Sequence, residues 1–215
     1  MAKRIGSKTL ILSSSPSIIG YAAVGAKKEK QGPLAGYFDL LSDDSSFGQK
    51  TWEKAETHMQ KTAIELALQK CNTQKDQIDF LFAGDLLNQC ISSAYASRDM
   101  LIPFFGLYGA CSTMSESLCL ASMFVDTGLG QRCLAATSSH FCSAERQFRF
   151  PLEYGGQRTP TAQWTVTGSG ACVVASSVQA PFIRAVTVGT VQDLGITDIN
   201  NMGARRCQNS VSVLF

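Results

Sequence analysis

The chain has 215 residues, of which 45% are apolar and 17% are charged, so it has enough apolar material to bury a substantial core. Its 19 Lys and Arg nearly balance its 17 Asp and Glu, and the single dense basic cluster, residues 27–30, is short. This charge balance gives no argument for an anionic membrane as a partner, and we expect no nucleic-acid partner. The apolar runs are too short to cross a bilayer, and we expect an unexported protein.

The first half of the chain alternates predicted strands and helices. A short strand over 9–13 comes first, and a long glycine-rich loop follows over 20–49. Apolar residues at helical spacing then indicate an amphipathic helix over 51–71. A buried strand over 78–83 ends just before Asp85.

The second half begins with a helix over 86–98 and a strand over 104–108. A further helix starts near Thr113, which has capping-box spacing with Glu116. Three more strands and a polar, aromatic loop complete the pattern: strands over 133–137, 171–176 and 183–191, and the loop over 141–165. Strands separated by helices predict an α/β fold with a largely parallel sheet covered on both faces, in which ligands bind beyond the carboxyl ends of the strands.

Eight cysteines without a CxxC pair argue against a zinc site or a disulfide scaffold, and we expect no metal site. Cys111 differs from the others because it lies in the turn Gly109–Ser112, between a predicted strand and a predicted helix. There the helix dipole favours the thiolate, so Cys111 is either a nucleophile or a residue that faces a ligand. A tight connection with a small buried thiol explains the same turn.

His140 and Asp85 also follow predicted strands. His140 either orients or deprotonates a thiol, donates to a carboxylate, or makes structural hydrogen bonds. Asp85 either caps the following helix or faces a ligand, and the two roles are compatible. Arg146, Arg149 and Arg158, which lie among aromatic residues of the 141–165 loop, suit either a planar anion or an interface with a second subunit.

Four stretches of the chain are long and distinctive. They read FLFAGDLLNQ (80–89), GACST (109–113), AATSSH (135–140) and AERQFR (144–149). Together they closely resemble the stage V sporulation protein AD family, and the resemblance covers nearly all of residues 1–204.

The resemblance implies a thiolase-like fold built from two similar halves. Residues 1–204 are then the N-terminal half, a layered sheet covered by helices, and residues 205–215 are an atypical or truncated tail. A thiolase-like enzyme takes its remaining catalytic histidine and cysteine from the second half, so we expect a binding protein rather than an enzyme.

Members of the family bind dipicolinic acid and work with membrane proteins that move it into the developing spore. The resemblance therefore implies that this chain binds dipicolinic acid, alone or as its calcium complex, and needs no cofactor. It also implies membrane subunits of the stage V sporulation A complex as partners, and a cytoplasmic location at the periphery of the spore inner membrane. A homo-oligomer is expected as well.

By the same resemblance Cys111 matches the thiolase nucleophile, and Asp85, Cys111 and His140 become the leading ligand-binding residues. Further pocket contacts are predicted for Asn88, Ser112, Ser139, Arg146, Arg149 and Ser169. The alternative is an acyltransferase in which Cys111 attacks a thioester with help from His140.

Overall fold

The computed structural model describes residues 3–148, 165–190 and 212–214, with residues 145–148 and 212–214 described by their backbone. The strands are β1 Lys3–Ile5, β2 Thr9–Ile11, β3 Ser17–Gly25, β4 Leu40–Leu41, β5 Phe80–Gly84, β6 Phe104–Gly106, β7 Arg132–Ser139, β8 Gly168–Ala175, β9 Ala185–Thr187 and β10 Ser212–Leu214. The α-helices are α1 Lys27–Lys30, α2 Trp52–Lys70, α3 Ile91–Met100, α4 Thr113–Asp126 and α5 Phe141–Phe148. Short 3-10 helices cover Ala35–Tyr37, Lys75–Gln77, Asn88–Cys90 and Ala110–Ser112.

The larger of two sheets has six strands in the order β4-β3-β8-β7-β5-β6. β5 pairs in parallel with β6 and β7, whereas β8 runs antiparallel to both β7 and β3. The prediction of a largely parallel sheet is therefore wrong for β8. β8 begins at the end of the sheet where β7 finishes. The connection between β7 and β8 therefore does not cross to the opposite end of the sheet, as a connection between parallel strands must.

The predicted loop over 20–49 is also wrong at its start, because residues 17–25 form the long strand β3. A Cβ atom on Gly20 would lie 2.5 Å from the carbonyl oxygen of Ala67 in α2. This close approach of helix and strand requires a glycine at that position. The glycine and the small residues that follow it hide the strand pattern in the sequence.

Helices cover both faces of the six-stranded sheet, as predicted. Leu81 and Val173 belong to the core under α2, while their neighbours Phe82 and Val174 belong to the core under α4. This follows from the alternation of side chains along a strand. The four-stranded antiparallel sheet β1-β2-β9-β10 lies on the α4 side, so α4 contacts both sheets.

The predicted tail, residues 205–215, falls largely outside the described residues. Its one described element is β10, which pairs with β9. Among the described helices, none combines the length and the apolar character that crossing a membrane requires.

Gly84 allows β5 and the start of α4 to lie in close contact. A Cβ atom at this position would lie 2.0 Å from the carbonyl oxygen of Leu107 and 2.8 Å from Cγ2 of Thr113. The first of these is a backbone atom, which cannot rotate away. The absence of a side chain at Gly84 therefore fixes how closely α4 approaches the strand.

We expect Gly84→Ala to lower the free energy of unfolding by about 1–3 kcal/mol, because the added methyl group forces the backbone apart. Denaturant unfolding of the two chains measures this. Gly36→Ala is the control, since a Cβ on Gly36 has no atom within 4 Å, and it should change stability by less than about 0.5 kcal/mol. Equal stability of the Gly84 variant and the parent chain would contradict the prediction.

Candidate functional site

Three parallel strands, β6, β5 and β7, end at one edge of the large sheet. Asp85 directly follows β5, and His140 directly follows β7. Cys111 lies beyond β6, in the 3-10 turn before α4. The structure thus brings all three predicted residues to the same edge, where ligands bind in open α/β sheets.

Asp85 is buried, with 1% of its surface exposed. Its carboxylate accepts hydrogen bonds from the backbone N–H groups of Leu87 and Ser93, each at 2.8 Å. Ser93 lies in the first turn of α3, which begins at Ile91 with Cys90 at the N-cap position. Asp85 is therefore not the N-cap residue that the sequence predicted, but its carboxylate satisfies one of the first N–H groups of that helix. Burial raises the pKa of Asp85, and the backbone donors oppose this shift.

His140 is fully buried, and both of its ring nitrogens are engaged. Nε2 lies 2.8 Å from the carbonyl oxygen of Ser45, and Nδ1 accepts from the N–H of Cys142 at 3.2 Å. Because a carbonyl only accepts, the proton is on Nε2. The ring stacks on Trp52 and on Phe141, at centroid distances of 5.2 and 5.7 Å. Burial lowers the pKa of His140, so the ring is a neutral, structural hydrogen-bonding group.

Cys111 is exposed, which rules out the interpretation of a small buried thiol. It follows Ala110, whose φ of 48° lies in the left-handed region. The predicted capping box is wrong, because Thr113 is already helical and its hydroxyl donates to the carbonyl of Ala110 at 2.9 Å. Glu116 instead lies against Gly109, where a Cβ would come within 2.4 Å of its carboxylate.

The additional contacts predicted from the sequence have mainly structural partners. All three serines donate to backbone carbonyls: Ser112 to Gly109 at 2.7 Å, Ser139 to Val166 at 2.6 Å and Ser169 to Thr137 at 2.8 Å. Asn88 is exposed and accepts from the hydroxyl of Tyr108 at 3.2 Å. Arg146 lies in α5 with only its backbone described, and Arg149 and Arg158 lie outside the described residues.

A cleft next to His140 was not predicted from the sequence. It has a volume of about 210 Å³. Its lining residues are Lys27, Lys28, Gln31, Ser45, Phe141, Thr165 and Thr167. The cleft shares Ser45 and Phe141 with the surroundings of His140. The basic residues 27–30 were visible in the sequence, but only the fold shows that two of them border a cleft.

A buried polar cluster beneath this edge was also missed. Glu56 and Gln60 are both fully buried on α2. Glu56 Oε1 lies 3.1 Å from the hydroxyl of Ser138, and Oε2 lies 2.9 Å from that of Ser143. Gln60 Nε2 donates to the hydroxyl of Ser93 at 3.0 Å. The available signal was a pair of polar residues, four apart, beside the apolar face of a helix.

The pKa of Glu56 is raised to about 8, chiefly by burial and then by the charge of Asp85, while the serine hydroxyls oppose the shift. Glu56 is therefore protonated at neutral pH. Asp85 receives backbone N–H donors, which favour its ionised form over that of Glu56. The pair thus divides into one neutral and one charged carboxyl group.

The fold is similar to that of two proteins with solved structures. They are a β-ketoacyl-[acyl carrier protein] synthase III from Thermus thermophilus, with a TM-score of 0.56 and 16% identity, and OleA from Xanthomonas campestris, with 0.54 and 16%. The first match covers 81% of this chain and 56% of the synthase, and the second covers 84% of this chain and 63% of OleA. The chain has the thiolase-like fold that the sequence predicted.

Family membership follows from closer relatives. The family model of stage V sporulation protein AD (SpoVAD) matches residues 6–214. Stage V sporulation protein AD of Bacillus subtilis (strain 168) is 47% identical over 202 residues, which are 94% of this chain and 60% of that protein. The chain belongs to the SpoVAD family, and it spans 60% of the length of this curated relative.

The raised pKa of Glu56 predicts a pH dependence of stability. Between about pH 4.5 and 8 the carboxyl is protonated when folded and ionised when unfolded, so stability falls as pH rises through this window. We expect Glu56 to contribute a slope of up to roughly 1.4 kcal/mol per pH unit. Glu56→Gln does not titrate and should flatten the profile, as measured by denaturant unfolding at pH 5, 6, 7 and 8. Parallel profiles for the two chains would contradict the prediction.

Proposed function

We propose that this chain binds dipicolinate, a flat pyridine ring with two carboxylates, in the cleft beside His140, where β3 and β7 end and β8 begins. The observation that carries the proposal is the cleft beside His140. A second support is membership of the SpoVAD family, because the resemblance that indicated the family also implied this ligand. The proposal includes the role implied for the family, support of dipicolinate uptake into the developing spore.

The cleft has the chemical groups that such a ligand needs. Lys27 and Lys28 supply ammonium groups for the two carboxylates, and Phe141 supplies an aromatic ring at the same wall. Thr167 is buried, and its Oγ1 accepts from the N–H of Phe141 at 3.1 Å, which leaves its hydroxyl proton to be donated. Glu29 is the acidic residue nearby, and one of its oxygens accepts from the N–H of Thr167 at 3.3 Å.

The three predicted residues then have different roles. His140 orders the wall of the cleft through Ser45 and Phe141. Asp85 acts indirectly, because its buried carboxylate is held by backbone donors and does not repel the ligand at the surface. Cys111 is not a lining residue of the cleft, and it offers an exposed thiol at the start of α4, where the helix dipole attracts a carboxylate. Calcium would lower the charge of the ligand and ease its approach to Glu29.

Calorimetric titration of dipicolinate, with and without calcium, tests the proposal. We expect saturable binding to the chain, about tenfold weaker binding to Lys27→Ala, and loss of binding in the Cys111→Ala, His140→Ala double variant. Lys75→Ala and His58→Gln are matched controls, because both residues are exposed and lie away from the cleft lining. Isophthalate, which has the same two carboxylates and lacks the ring nitrogen, measures the selectivity for the pyridine.

Absence of binding by a chain that unfolds cooperatively would contradict the proposal. Binding that is unchanged in Lys27→Ala and in the double variant would place the ligand elsewhere. Each variant must unfold in the same way as the parent chain for these comparisons to count.

The second candidate is an acyltransferase, favoured by the exposed thiol of Cys111 at the N-terminus of α4. His140 is a poor base for it, because its unprotonated nitrogen, Nδ1, already accepts from the N–H of Cys142 and its Nε2–H donates to the carbonyl of Ser45. We therefore expect incubation with acetyl-CoA to leave Cys111 unmodified in intact-protein mass spectrometry, with Cys111→Ser as the control for the site. A stable acetyl group that the Cys111→Ser variant lacks would favour the enzyme instead.

The partners implied by the resemblance, a second copy of the chain and the membrane subunits of the stage V sporulation A complex, stay predictions. The same holds for a location at the spore inner membrane.

A further inference from the structure

The buried polar cluster around Glu56 lies outside the cleft lining and has no direct ligand contact. Glu56 is its central residue, fully buried on α2, and its two oxygens contact the hydroxyls of Ser138 and Ser143. These serines flank His140, one at the end of β7 and one in the first turn of α5. A single carboxyl group thus bridges both sides of the turn that bears His140.

The protons at this bridge can be counted. Ser143 Oγ lies 2.9 Å from Glu56 Oε2 and 3.1 Å from the carbonyl oxygen of His140. The carbonyl only accepts, and the hydroxyl has one proton. With Glu56 ionised, the hydroxyl donates to Oε2, and the carbonyl of His140 relies on its bond from the N–H of Ala144 at 3.0 Å. With Glu56 protonated, the carboxyl supplies the proton between Oε2 and Ser143, and the hydroxyl donates to the carbonyl of His140. A protonated Glu56 therefore completes a chain of hydrogen bonds from its Oε2–H through Ser143 to the backbone of His140, while Oε1 accepts from Ser138.

The surroundings of Glu56 favour this neutral form. Asp85 is the charged group that faces it from the end of β5, and its charge opposes a second negative charge. The side of α3 that packs on α2 contributes the hydroxyls of Ser92 and Ser93, and α2 itself contributes the amide of Gln60. Among the described side chains no lysine or arginine forms an ion pair with Glu56. The pKa of about 8 favours the protonated arrangement at neutral pH.

We propose that Glu56 is the positioning residue of the site, a neutral carboxyl that donates to Ser143, accepts from Ser138, and so holds His140 in the orientation that orders the cleft. Its effect on ligand affinity rests on the proposed function. Its effect on the ring of His140 does not, and the two are measured separately.

Three substitutions distinguish a neutral bridge from a carboxylate. Glu56→Gln keeps one donor and one acceptor in the same shape and should preserve the bridge. Glu56→Ala and Ser143→Ala each break the chain and should release His140. Ser143→Ala removes a single oxygen, so it provides the test if Glu56→Ala does not fold. Glu65→Gln is the matched control, because Glu65 is exposed on the same helix.

NMR of the imidazole nitrogens gives the readout that needs no ligand. The chain has two histidines, and His58→Gln assigns the signals of His140. We expect the Nε2–H tautomer with a slowly exchanging ring proton in the parent chain, in Glu56→Gln and in Glu65→Gln. Both Ala variants should show fast exchange or mixed tautomers. An unchanged His140 signal in a folded Glu56→Ala or Ser143→Ala chain would overturn the inference, as would loss of the signal in Glu56→Gln.

Dipicolinate titration of the same variants gives the second readout. Affinity should fall about tenfold in the Ala variants and stay near that of the parent chain in Glu56→Gln. Above pH 8 the parent chain should lose affinity as Glu56 ionises, whereas Glu56→Gln should not, and other titrating groups are common to both. Unchanged affinity in the Ala variants or parallel pH profiles would overturn the role in binding. Failure of the parent chain to bind would overturn the proposed function and leave the NMR result to decide the role of Glu56.

Discussion

Two carboxyl groups buried in one polar cluster, Glu56 and Asp85, constrain the whole carboxyl edge of the sheet. Like charges in a low-dielectric interior repel, so the charge of Asp85 opposes a second negative charge on Glu56. The donors settle which group is charged. Asp85 accepts from backbone N–H groups that cannot reorient, whereas Glu56 contacts serine hydroxyls that either donate or accept. The α3 start and the His140 turn are thus held by one ionised and one neutral group.

This arrangement divides the edge into a buried and an exposed part. Asp85 and His140 contact α3, α2 and the Ser45 region, and both are buried. Cys111 is exposed and leads into α4, on the opposite face of the sheet. A ligand that reaches Cys111 therefore approaches from the surface, while the other two act from beneath.

Much of the fold was predictable because local patterns agreed with the tertiary structure. The apolar spacing predicted α2, and apolar runs followed by polar residues predicted β5 and β7 with Asp85 and His140 at their ends. β3 was not predictable in this way, because its Gly20 is required by the close packing of α2 on the strand, which is a tertiary contact. Glu56 was missed for a related reason. Its position beside an apolar helix face was visible, but its partners are serines far along the chain, and only the folded structure brings them together.

The reversed direction of β8 explains why a cleft forms beside His140. Antiparallel pairing aligns Gly25 at the end of β3 with Gly168 at the start of β8, so Lys27 and Thr167, just beyond these residues, meet at one edge. β8 also pairs with β7, whose end leads into His140. A parallel β8 would begin at the opposite edge and bring no such residues to the site. The sequence did not reveal the direction of β8. Yet β8 is the strand that joins the basic segment after β3 to the His140 turn, which Glu56 holds.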